Sequence, residues 1–162
     1  MALANNRLDL LATARLDRRV QTLFGDAPPP GLGTKPVRLA VLASSTVEHL
    51  LPSLRVAALR RDIWLHVHTG DYGQYGRDLS DPSSDLHVYK PDTVLFALDA
   101  HHLLAGGGTS LEPIVDRLVH HWRLARESFH GPVVQQTVLP VFPRLFGNNE
   151  HRLNSIHLSA AR

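Results

Sequence analysis

Ser44-Ser45-Thr46 stands directly after an apolar run, Val37 to Ala43. A serine at a strand-to-helix turn is exposed, and it lies beside free helix N-terminal N–H groups that can stabilise an oxyanion. Ser45 is therefore a candidate nucleophile. A structural assignment competes with it. Ser45-Thr-Val-Glu48 has the spacing of a capping box, in which the serine only satisfies backbone donors. A nucleophilic serine also needs a base, usually a histidine with a carboxylate behind it. Asn154-Ser-Ile-His157 has the spacing of such a pair but offers an amide in place of the acid.

Gly70-Asp71-Tyr72-Gly73-Gln74-Tyr75 is the other stretch with chemistry to offer. Its glycines permit close backbone approach. Asp71, Tyr72, Gln74 and Tyr75 supply hydrogen-bonding groups to a cleft. The competing assignment is a packed loop whose tyrosines cover the sheet. His66 and His68 share one face of a strand, as metal ligands can, but no third ligand stands at a telling distance. His101-His102 and His120-His121 are adjacent pairs that point apart, so no metal site is assigned. Gly31-Leu-Gly33-Thr-Lys35 lacks the spacing of a phosphate loop and precedes a strand instead of following one.

The elements that must position these residues follow from periodicity. Residues 6–24 form an amphipathic helix with Leu8, Leu11, Ala12, Leu16, Val20, Leu23 and Phe24 on its apolar face. Residues 25–36 carry four prolines and three glycines and read as a linker. Val37–Ala43 is a buried parallel strand. A helix follows with Val47, Leu50, Leu51, Leu54, Ala57 and Ala58 as its stripe, and Pro52 must kink it or shift its start. Ile63–His68 is the second strand. Thr69–Pro91 reads as one long loop, and such loops are often functional. Thr93–Leu98 is the third strand. Thr109-Ser-Leu-Glu112 has capping-box spacing before a helix that buries Leu111, Ile114, Val115, Leu118, Trp122 and Ala125. Pro132–Val138 is the fourth strand, and Phe146–Glu150 a turn.

Strands alternating with helices imply a three-layer, doubly wound parallel sheet with right-handed crossovers. Its ligand crevice lies at the carboxyl ends of the strands. The divisions are an N-terminal helix (1–24), a linker (25–36) and an α/β domain (37–162).

Composition sets the outer bounds. The chain has 162 residues, 43% hydrophobic and 20% charged, enough for one domain with a real core. Seventeen basic against 15 acidic residues give a net charge of +2, too balanced for a nucleic-acid partner. The absence of cysteine excludes disulfides and thiolate metal sites. The start carries no signal-peptide pattern and no apolar run reaches the ~20 residues that span a bilayer, so a cytoplasmic protein is expected.

Four stretches together resemble the N-terminal region of FkbH-like proteins: Val37–Leu54, Leu59–Tyr75, Asp81–Ala100 with its KPDTVLFALD, and Val133–Glu150 with Gly147-Asn148-Asn149-Glu150. The resemblance implies an SGNH-hydrolase-like (flavodoxin-like) domain that precedes a haloacid-dehalogenase-type (HAD) domain. In polyketide-type biosynthesis that HAD domain uses Mg²⁺ to dephosphorylate an acyl phosphate and load a glyceryl unit onto an acyl carrier protein. The HAD signature D-x-D-x-T is absent from these 162 residues, so no cofactor is expected in this chain. The SGNH blocks are also degraded. Gly-Asp-Ser corresponds to Ala43-Ser44-Ser45, and Gly-x-Asn-Asp to Phe96-Ala97-Leu98-Asp99. The closing histidine block would lie beyond Arg162, so the domain looks cut before a fifth strand, leaving strand four as an edge. The resemblance therefore implies a non-catalytic docking module for a carrier protein and the HAD domain, with Ser44, Thr46, Asp71, Tyr72, Gln74, Tyr75, Asp99 and Asn148 as binding residues. The alternative is an SGNH-type ester or thioester hydrolase with Ser45 as nucleophile.

Overall fold

Strand propensity and burial coincide best at the centre of the sheet. The computed structural model describes residues 3–25, 27–105 and 111–139. Its elements in chain order are α1 (Leu10–Phe24), β1 (Lys35–Ala43), α2 (Leu51–Leu59), β2 (Ile63–Thr69), α3 (Tyr75–Ser80), α4 (Asp85–Tyr89), β3 (Thr93–Ala97), α5 (Ala100–Leu104), α6 (Glu112–Phe129) and β4 (Val133–Gln135). The four strands are all parallel, in the order β2-β1-β3-β4. The chain thus leaves β1 outward to β2, then crosses to the other side of β1 to lay down β3 and β4. The direction of winding reverses between β1 and β3.

Alternation along β1 divides the core. Leu39, Val41 and Ala43 face Val47, Leu54, Leu65, Val67, Leu95 and Ala97 on one side. Ala40 and Leu42, with Val94 and Phe96 of β3, face the other, where Tyr75, Leu79, Leu86, Leu103 and Ala125 close over them. Helices therefore cover both faces, which gives the three layers expected of a doubly wound sheet.

Several expected boundaries are corrected. Helix α2 begins at Leu51, with Leu50 at its cap and Pro52 in its first turn, so Ser45 does not cap it. Proline is pre-organised for a helix start and has no N–H to lose there, and it overrides the capping-box spacing. The stretch 69–91 is not a loop, because it contains α3 and α4. Ser84 caps α4, its hydroxyl accepting from His87 N–H at 3.4 Å and donating to the Asp78 carbonyl at 2.7 Å. Helix α5 follows β3 almost directly, with Asp99 as its cap. Helix α6 starts at Glu112 with Leu111 at its cap; Thr109 lies outside the described residues, and Val115 faces solvent. Strand β4 pairs over Val133–Gln135 only, and one more bond, Gln136 N–H to Phe96 O at 2.9 Å, prolongs it. Gly131 precedes it because a Cβ at that position would overlap the Asp92 carbonyl.

Helix α1 starts at Leu10, where the Asp9 carboxylate accepts from Ala12 N–H at 2.7 Å. It packs on α2, and Leu8, Leu16 and Val20 join a cluster with Val56, Leu59 and Trp64. The apolar face is narrower than its leucines suggest, since Leu11 and Leu23 point to solvent. Thr13 and Asp17 are buried instead, and Asp17 holds Arg55 of α2 through two bonds, at 2.8 and 2.7 Å. Among the described residues, no helix is long and apolar enough to cross a membrane.

Candidate functional site

The reversal between β1 and β3 opens a crevice at their carboxyl ends, the usual ligand position in such sheets. Ser44 leaves β1 and Asp99 leaves β3 at this point, and the two bind each other reciprocally. The Ser44 hydroxyl donates to Asp99 Oδ2 at 2.7 Å and accepts from Asp99 N–H at 2.9 Å. Ser44 N–H also donates to Ala97 O at 3.2 Å. The other oxygen, Asp99 Oδ1, accepts from His102 N–H at 2.9 Å and caps α5. Burial opposes the charge on Asp99. The hydrogen bonds from His102 N–H and Ser44, with His102 and His101 nearby, outweigh it and hold the carboxyl below its usual range.

Ser45 and Thr46 are exposed and line a cavity of ≈ 290 Å³ with His49, Asp99, Gln136 and Thr137. No hydrogen bond joins Ser45 to His49, and Asp99, the carboxylate of that cavity, is committed to Ser44 and α5. The described residues therefore assemble no serine–histidine–carboxylate relay. Asn154, His157 and the binding candidate Asn148 lie outside them.

The glycine-tyrosine stretch divides its residues. Gly73, at φ 69°, donates its N–H to Ala43 O at 3.1 Å and ties the loop to the end of β1. Tyr72 is exposed, and its hydroxyl donates to Glu48 Oε1 at 3.1 Å. Asp71, Tyr72 and Gln74 line a groove of ≈ 850 Å³ with His68, Arg77 and Asp78, separate from the cavity at Ser45. One cleft shared by the two loops is the sequence expectation; the structure has two depressions on either side of the β1 terminus. Tyr75 joins neither. It is 4% exposed in the first turn of α3, its ring packs edge-on to Phe96 and its hydroxyl stands 2.8 Å from His102 Nε2. Burial pushes its phenol pKa up, so Tyr75 stays neutral.

His102 and His121, the ring partners of Tyr75, carry no signal in the sequence beyond being adjacent to another histidine. His68 stacks on Tyr89 at 5.0 Å. Among the described residues, no group of three histidines or carboxylates is placed to hold a metal ion.

Comparison with known proteins bears on fold and family. A solved structure of the N-terminal part of the protein BF1531 from Bacteroides fragilis, which contains a phosphatase domain complexed with Mg, is similar in fold with a TM-score of 0.71. The identity is 16%, and the match covers 96% of this chain but only 40% of that one. No curated protein matches the sequence. The family described as FkbH, N-terminal domain, matches residues 38–160, a span that begins inside β1 and leaves α1 outside. With about three-quarters of its length in that match, the chain belongs to the FkbH N-terminal domain family.

Proposed function

We propose that this domain is a non-catalytic binding and docking module of an FkbH-like protein, presenting an acyl carrier protein to a HAD-type phosphatase domain that performs the chemistry. The observation that carries the reading is the reciprocal Ser44–Asp99 pair. It stands beside Ser45 in the crevice and commits Asp99, the carboxylate of that cavity, to joining β1 to α5, so the exposed Ser45 has no free carboxylate there to complete a relay. Family membership supports the FkbH-like context. The phosphatase domain and Mg of the BF1531 structure support a division of labour along a longer chain. The described residues offer no ligand set for Mg²⁺, so no step here runs through the ion.

The docking surface assigned is the Gly70–Gln74 loop with Tyr72 at its crest, because an exposed tyrosine is the kind of anchor that interfaces use. The test is carrier loading by the full-length protein. Tyr72→Ala should raise the KM for the carrier about 3–10-fold and leave kcat unchanged, the loss expected of one interface side chain. Unchanged loading kinetics overturn the docking assignment. Ser45→Ala should leave any hydrolysis of p-nitrophenyl esters or acyl thioesters at its starting level. A loss confined to that variant would instead support the hydrolase.

A further inference from the structure

Three rings from three helices meet under the loop that leads into α3. The Tyr75 ring lies edge-on to His102 at 5.6 Å and to His121 at 5.1 Å between centroids. Tyr75 and His102 satisfy each other through their 2.8 Å contact. Among the described residues His121 has no such partner, and its Nδ1 is buried without a hydrogen bond. The α3 backbone closes directly onto its other edge, because Gly76 has no side chain. A Cβ there would stand 3.0 Å from His121 Nε2.

A neutral imidazole tolerates this site, since one nitrogen needs only to accept. An imidazolium does not. It carries two N–H donors, and one would point into buried space with no acceptor. Its neighbours make matters worse. His120 lies beside it on α6 with centroids 5.7 Å apart, Arg117 precedes it by one turn, His102 faces it from α5 and Tyr75 from α3. Arg117 is cationic, Tyr75 is neutral, and no carboxylate is among them. Burial, then His120, Arg117 and His102, hold His121 below the usual histidine range.

We infer that His121 is a proton-operated latch: neutral, it lets α3 seat on α6, and protonated, it expels α3 together with the Gly70–Gln74 loop. The sign follows from linkage. Once α3 is released, His121 takes up a proton near the ordinary 6.5, whereas the seated form resists it. The released state therefore binds more protons and gains population as the pH falls below about 6.5, by at most tenfold per pH unit for one group. The inference is independent of what the loop binds.

The experiment is a titration of the isotopically labelled full chain from about pH 7.5 to 5.5, bracketing the histidine range. It reads the histidine ring nitrogens and the amide-exchange protection of Tyr75–Ser80, corrected for intrinsic exchange. Protection of α3 should fall with pH while that of β1 and β3 holds. His121→Phe should flatten the dependence, leaving the other histidines in place. Tyr75→Phe keeps the ring packing and should keep the dependence. An α3 whose protection does not change with pH overturns the latch, as does the same dependence surviving in His121→Phe. Loss of the dependence in Tyr75→Phe would place the proton on His102 and overturn the assignment. If His121→Phe does not fold, the wild-type ring titration and Tyr75→Phe decide between these outcomes.

Discussion

Tyr72 and Tyr75 sit three residues apart in one short stretch and do opposite work. Tyr72 is half exposed and reaches sideways to Glu48, whereas Tyr75 is almost fully buried and holds α3 to the sheet through Phe96, His102 and His121. A motif that reads as one binding loop is thus a surface residue followed by a core anchor. The difference lies in where α3 begins. Its first residue turns inward under the helical layer, and the residues before it remain outside.

The sharpest way to break the comparison is to truncate both tyrosines. Tyr75→Ala should cost about 3–5 kcal/mol, the range for removing a buried aromatic, and chemical denaturation would measure it. A loss below ~1 kcal/mol would show that the helical layer does not depend on it. Asp99→Ala comes next. It removes the α5 cap and leaves the Ser44 hydroxyl without its acceptor, for about 1–3 kcal/mol. The same carboxylate predicts a pH dependence of stability. Its folded pKa lies below the ordinary value of 3.8, so its contribution is complete above that value and is lost as the pH falls through the folded pKa. Acid denaturation of wild type against Asp99→Asn should show it, with the variant less stable above that value and the gap closing in acid. Tyr72→Ala should change stability least, within about 0.5 kcal/mol in the same denaturation experiment, because the bond it loses is at the surface.

The sheet was legible because β1 is apolar from Leu39 to Ala43, where it is buried on both faces, and the same holds for the central part of β3. The short helices were not. Helices α3, α4 and α5 are five or six residues long, too short for a periodic stripe. Caps at Ser84 and Asp99 and packing at Tyr75, Leu79, Leu86 and Leu103 define them. Of the candidate site, the Ser44 and Asp99 positions could be named from the strand ends, but not their mutual bond, which joins residues 55 apart. Ser45 misled as a cap because Pro52 decided where α2 begins. His121 had no sequence signature, since its character comes from the glycine and tyrosine that α3 places against it.

The ion pair between Asp17 and Arg55 bears on where this chain can be cut. The family match begins at Arg38, yet β1 begins at Lys35, and Arg55 finds its carboxylate on a helix that lies wholly before the match. A fragment trimmed to the matched span would lose the start of its central strand. It would leave a guanidinium without its counter-charge and uncover Trp64 where α1 had lain. The matched span is therefore shorter than the packed unit, to which α1 is joined by a charge pair and by the contact of Leu8, Leu16 and Val20 with Val56, Leu59 and Trp64.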